Sequence, residues 1–138
     1  MSEIITDKLT GRGVAKTVTV TVGASATQSL EKGLAKVYSL WDMGDLSGTG
    51  GTTGIETSLN VSSMDDDGAG DFGINFTIAF ASVNYVAVSA TGHGARRVLT
   101  RSPDGTATTT SMDGLTRNES NSNTDALSCS VAIFGDVA

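Results

Sequence analysis

The chain is poor in most of the residues on which specialised chemistry depends. It has one cysteine, Cys129, one histidine, His93, one tryptophan, Trp41, and one proline, Pro103. A lone cysteine builds no disulfide framework within the chain, and a lone histidine supplies no multi-histidine metal site within one subunit. Charged residues are only 17% of the chain, and the Val, Ile and Phe residues are grouped in runs, so wholesale disorder is not expected. No apolar run approaches the roughly 18 residues of a membrane span. Met1-Ser2-Glu3 lacks the basic and then apolar pattern of a secretory leader. Ala, Leu, Glu, Lys and Arg do not dominate, which argues against a helical bundle. The net charge of −6 would repel a polyanion, so non-specific nucleic-acid binding is not expected either.

What the chain has instead is glycine, serine and threonine, more than a third of its 138 residues together. Such small side chains bury little apolar surface, and a glycine ordered in a strand costs about 0.5–1 kcal/mol relative to alanine. The expectation is a β protein with a thin core, for which association of subunits supplies the missing burial.

The hydropathy pattern agrees with β structure. Residues 16–22 alternate, with Val18, Val20 and Val22 on one face and Thr17, Thr19 and Thr21 on the other. A polar break follows at 23–29. Residues 30–43 fit two readings: Leu30, Leu34, Val37 and Trp41 make a helical stripe, whereas Ala35, Val37, Ser39 and Trp41 make a strand face, and the strand is favoured. The five glycines of 44–54 read as a flexible loop. Residues 55–64 and 71–80 read as a hairpin about an acidic turn at 65–70, with Phe72, Ile74, Phe76, Ile78 and Phe80 on one face. Further strands are expected at 85–91, 96–101, 106–112 and 127–134, and a surface loop at 115–125. Short strands separated by turn signals predict an all-β antiparallel β-sandwich, jelly-roll-like or Greek-key, with a short N-terminal arm.

Few residues suggest chemistry. Gly11-Arg12-Gly13-Val14-Ala15-Lys16-Thr17 lacks the glycine before Lys-Thr and the following helix that a phosphate loop needs. The acidic run offers a weak Ca²⁺ candidate in Asp65, Asp67 and Asp71, with a solvated turn as the simpler account. His93, Arg96, Arg97 and Arg101 are the clustered cations and could recognise an anion or a partner. Trp41, with Tyr38 and Tyr85, is a polar-tipped aromatic and a further contact candidate, with core packing as the simpler account, and Cys129 falls on an apolar strand face. No nucleophile elbow or triad signature occurs, so no enzyme activity and no cofactor are expected.

Two stretches resemble a known family. Met1-Ser2-Glu3-Ile4-Ile5-Thr6-Asp7-Lys8-Leu9-Thr10-Gly11-Arg12, followed by the Thr-Val strand, resembles the opening of tail-fibre-type proteins of tailed bacteriophages. Asn60-Val61-Ser62-Ser63, the acidic glycine run, Gly70-Asp71-Phe72, Asn75-Phe76-Thr77 and Asn84-Tyr85 resemble their recurring C-terminal module. The chain lacks the long middle region of such fibres, and it has Gly73 where a larger residue is common. The resemblance implies a virion structural protein, a homotrimer, with an anchoring arm over 1–28 and a β-sandwich over 29–138. It would contact other tail or capsid proteins through the arm. Its outer loops at 44–54, 92–101 and 115–125 would face a host-surface glycan or protein. The alternatives are a capsid-decorating protein and, from a different class, a polysaccharide depolymerase, which needs a positioned carboxylate pair.

Overall fold

A computed structural model describes residues 19–22, 26–29, 33–92, 97–101 and 107–138, with the backbone alone described in 19–22, 26–29 and 97–101. The chain divides into two compact units, 1–34 and 35–138. In the first, β1 (Thr19–Val22) pairs antiparallel with β2 (Ala26–Ser29), Thr19 opposite Ser29 and Val22 opposite Ala26. The polar break expected at 23–29 thus contains the second strand of a hairpin.

The second unit is an all-β sandwich of two antiparallel four-stranded sheets, not closed into a barrel. β3 (Val37–Trp41), β4 (Ile55–Leu59), β7 (Val86–Gly92) and β10 (Ser128–Phe134) form one sheet in the order β4-β3-β10-β7. β5 (Val61–Gly68), β6 (Asp71–Phe76), β8 (Arg97–Arg101) and β9 (Ser111–Asn118) form the other in the order β5-β6-β9-β8. The chain crosses between sheets after β4, β6, β7 and β9, so strands distant in sequence become neighbours.

Alternation decides which side chains fill the gap between the sheets. From the first sheet come Val37, Trp41, Cys129, Val131 and Ile133. This establishes 37–41 as a strand, with the buried face that its period of two predicts. From the second sheet come Met64, Ile74 and Met112, which lie side by side across three strands, and Phe72. Each large apolar side chain so buried contributes about 1.5–3 kcal/mol. Trp41 and Phe72 meet across the gap with ring centroids 5.0 Å apart and planes at 57°. Phe76, Phe80 and Tyr85 form a second aromatic group, Phe80 lying 5.2 Å from Phe76 and 4.8 Å from Tyr85. The Tyr85 hydroxyl donates to the Ser111 carbonyl at 3.0 Å and so ties the start of β7 to β9 in the opposite sheet.

Three expectations are corrected. The 55–64 segment is two strands, because Asn60 takes a positive φ of 59° and turns the chain from one sheet to the other. The Asn60 amide then behaves as a strand partner for Ile78, accepting from its N–H at 2.6 Å and donating to its carbonyl at 3.1 Å. This ends β6 at Phe76 and leaves Ile78 exposed, although Phe80 returns to the core through its bridge to Val137. The acidic run is not a turn either: β5 runs through Asp65-Asp66-Asp67, and only Ala69-Gly70 turns. Finally, the expected loop at 115–125 begins as strand. Leu115 and Thr116 are buried in β9, and the Thr116 hydroxyl donates to the Thr124 carbonyl at 2.6 Å.

Close packing fixes one glycine. Gly114 stands opposite Phe72 in the β6–β9 ladder, and a Cβ there would come within 2.4 Å of the Phe72 ring. The ring cannot retreat, because Trp41 lies against it. Gly114→Ala is expected to destabilise the domain by about 1–3 kcal/mol, as overpacking does. A lower midpoint in equilibrium urea unfolding checks this.

Candidate functional site

The sheet β5-β6-β9 carries its polar residues outward, and there the register gathers acid. Asp65, Gly73 and Asp113 are directly opposite one another across three strands. Gly73 has no side chain, so the two flanking carboxylates lean over it: a Cβ at that position would lie 3.0 Å from Asp65 Oδ2 and 3.5 Å from Asp113 Oδ1. Asp71 precedes Gly73 by two residues on the same strand, which places it on the same face. Asp67 occupies the irregularity between Asp66 and Gly68 at the end of β5.

The carboxylates are not equivalent. Asp65 is held in place: Asn75 Nδ2 donates to its Oδ2 at 2.9 Å, and the Gly50 N–H donates to its Oδ1. Asp113 has its carboxyl raised above the ordinary 3.8, by burial first and then by the negative charges of Asp71 and Asp65. Asp67 is raised in the same way, by burial and then by Asp65, Asp71, Asp113 and Asp66. The arrangement therefore joins an anchored carboxylate to a neighbour that holds its proton to higher pH.

The three residues of the weak Ca²⁺ candidate do not share one turn. Asp65 and Asp71 stand in neighbouring strands and Asp67 at a strand end. Among the described residues, no group of three His, Cys, Asp or Glu side chains is placed to hold a metal ion. Asp113, which falls between the expected strand at 106–112 and the expected loop at 115–125, belongs to the row only through the β6–β9 register.

The other candidates fare differently. Trp41 is wholly buried on the inner face of β3, so it is a core residue and not a contact residue; its indole Nε1 has no hydrogen-bond partner. His93 and Arg96 lie outside the described residues. Arg97 and Arg101 are at the two ends of β8, opposite Asn118 and Gly114. The glycine-rich stretch 44–54 is laid along β5: the Gly51 and Met64 N–H groups donate to each other's carbonyls at 3.0 and 2.8 Å, and the Asp66 N–H donates to the Gly48 carbonyl at 2.9 Å. Its base is a 3-10 turn, Met43–Asp45, which Asp42 caps by accepting from the Gly44 N–H at 2.8 Å. Met43 and Leu46 anchor this turn in the core. Cys129 is buried, and its thiol is pushed up to about 12 by burial and by Asp42 and Asp125.

Comparison with protein-family models, curated proteins and solved structures finds no match to this chain.

Two predictions follow from the titrating groups. A carboxyl raised in the fold binds its proton more tightly folded than unfolded. Stability therefore falls as pH rises from 3.8 through the raised folded value, and the loss is complete above it. Asp113→Asn removes that loss, so its urea midpoint should exceed wild type at pH 7 and match it at about pH 3. The Cys129 thiol should resist alkylation by iodoacetamide at about pH 8 in the folded protein and react once urea exposes it; mass spectrometry of the intact chain reads both states.

Proposed function

We propose that this chain is a non-enzymatic structural protein of a phage virion, a tail-fibre or appendage module that assembles with copies of itself and presents its loops to the host surface. The supporting observation is the position of the segment that carries the family resemblance. Residues 61–76 form one continuous hairpin, β5–β6, and its Met64, Phe72, Ile74 and Phe76 supply much of the sandwich core. Of the resembling residues, Phe72, Phe76 and Tyr85 lie in that core, Ser62, Asp66, Asp67, Thr77 and Asn84 are exposed, and residues 1–12 lie outside the described residues.

The test is quantitative mass spectrometry of purified particles of the encoding virus. A few to tens of copies per particle, located on the tail by gold-labelled antibody, is the expected result. Hundreds of copies on the head would make the protein a capsid decoration, and absence from the particle would overturn the virion reading. The convergence of Asp65 and Asp113 over Gly73 favours one rival from another class, polysaccharide hydrolysis by a carboxylate pair. Loss of host-polysaccharide viscosity on incubation with the protein, abolished by Asp113→Asn, would establish that rival in place of the structural role.

A further inference from the structure

The two outer faces of the sandwich differ in kind. On the β5-β6-β9 side they carry Asp65, Asp71 and Asp113. On the other side, the β4-β3-β10-β7 register aligns Leu59, Tyr38, Ala132 and Val88 in one row across all four strands, with Phe134 and Val86 paired beside it. Val86 and Val88 are 63% and 60% exposed, Leu59 47% and Tyr38 41%. The remaining paired outward positions of these strands are Thr57, Leu40, Ser130, Ala90, Ser128 and Gly92, and the one charged residue of the four strands is Glu56, exposed at the irregularity of the edge strand β4.

We infer that this face is where copies of the chain meet, each copy turning it inward against the same face of another. The inference rests on the self-assembling reading above and names its surface. Four strands at about 4.8 Å spacing, over about six residues of length, give roughly 400 Å² of sheet plane. That is within the size of the largest patch a typical monomer leaves open and about half of the roughly 800 Å² per partner in a stable interface. Thr57, Ser130 and Ser128, within that area, are its uncharged polar positions.

Charge selects the occupant. The chain has a net charge of −6, so two copies repel through most approaches, and this sheet, whose four strands hold a single acid at one edge, opposes a second copy far less than the row of Asp65, Asp71 and Asp113 would. Sheets stack at about 10 Å, so copies joined this way hold their acidic rows about 30 Å apart, several screening lengths at physiological salt. A membrane surface is a poorer match, because the face lacks the basic rim and tryptophan that hold a protein to anionic lipid.

The experiment is sedimentation velocity and native mass measurement of the full chain at about 10 μM, for wild type, Val88→Asp, Leu59→Asp and Asp113→Asn, with circular dichroism to verify folding. Wild type and Asp113→Asn should run at two or three times 14.0 kDa, and each aspartate variant should weaken association by about tenfold or more. Should an aspartate variant fail to fold, Val88→Thr and Leu59→Thr, which keep the β-branched shape or the strand preference, should still weaken it. An oligomer unmoved by every face variant overturns this surface and leaves self-assembly standing. A monomeric wild type overturns both. A monomer in which Val88→Asp raises amide exchange within 1–34 assigns the face to the chain's own N-terminal segment, and the inference falls.

Discussion

The sandwich depends on one contact across its gap, the Phe72 ring held between Trp41 of the facing sheet and the bare backbone of Gly114 beside it. With so few aromatic residues, the chain cannot fill its interior by bulk, and it does so by placement. Phe72 sits near the middle of its sheet because β9 enters between β6 and β8 and brings a glycine opposite it. Trp41 sits opposite because β10 enters between β3 and β7 and puts β3 in the interior of its own sheet. The buried Trp41 N–H without a partner is a cost of burying a tryptophan where a phenylalanine would leave no polar atom.

That contact is formed by strands distant in sequence, which explains how much could be read beforehand. Alternation identified the strands at 86–92 and 128–134, favoured strand over helix at 37–41, and gave the buried faces of 37–41 and 128–134. It misjudged the places where a side chain replaces a backbone partner or a bulge shifts the period. At Asn60 the amide captures Ile78 and splits one expected hairpin arm between two sheets. In β5 the acidic residues carry no propensity for strand, yet pairing with β6 carries the strand through them. A period of two puts Leu127 on the face of Cys129, Val131 and Ile133, yet Leu127 is exposed and Ala126 is buried.

The candidate site was less legible than the fold for the same reason. Asp65 and Asp71 stand out in a run of acids, but Asp113 is isolated in sequence, and its partnership with Asp65 exists only because Gly73 lies between them in the ladder. Trp41 illustrates the opposite error: a lone tryptophan attracts functional readings, whereas its strand position assigned it to the interior. The row of Asp65, Asp71 and Asp113 and the exposed row of Leu59, Tyr38 and Val88 belong to different sheets of the sandwich and lie on opposite faces of it.

The 48–51 segment bears on a different hazard. By bonding to Met64 and Asp66 it occupies the outer margin of β5, where a foreign strand would otherwise find main-chain groups to pair with. The glycine-rich stretch, which composition alone marks as slack, works there as a seal: it closes one route by which sheets of neighbouring molecules could fuse into an indefinitely growing ribbon.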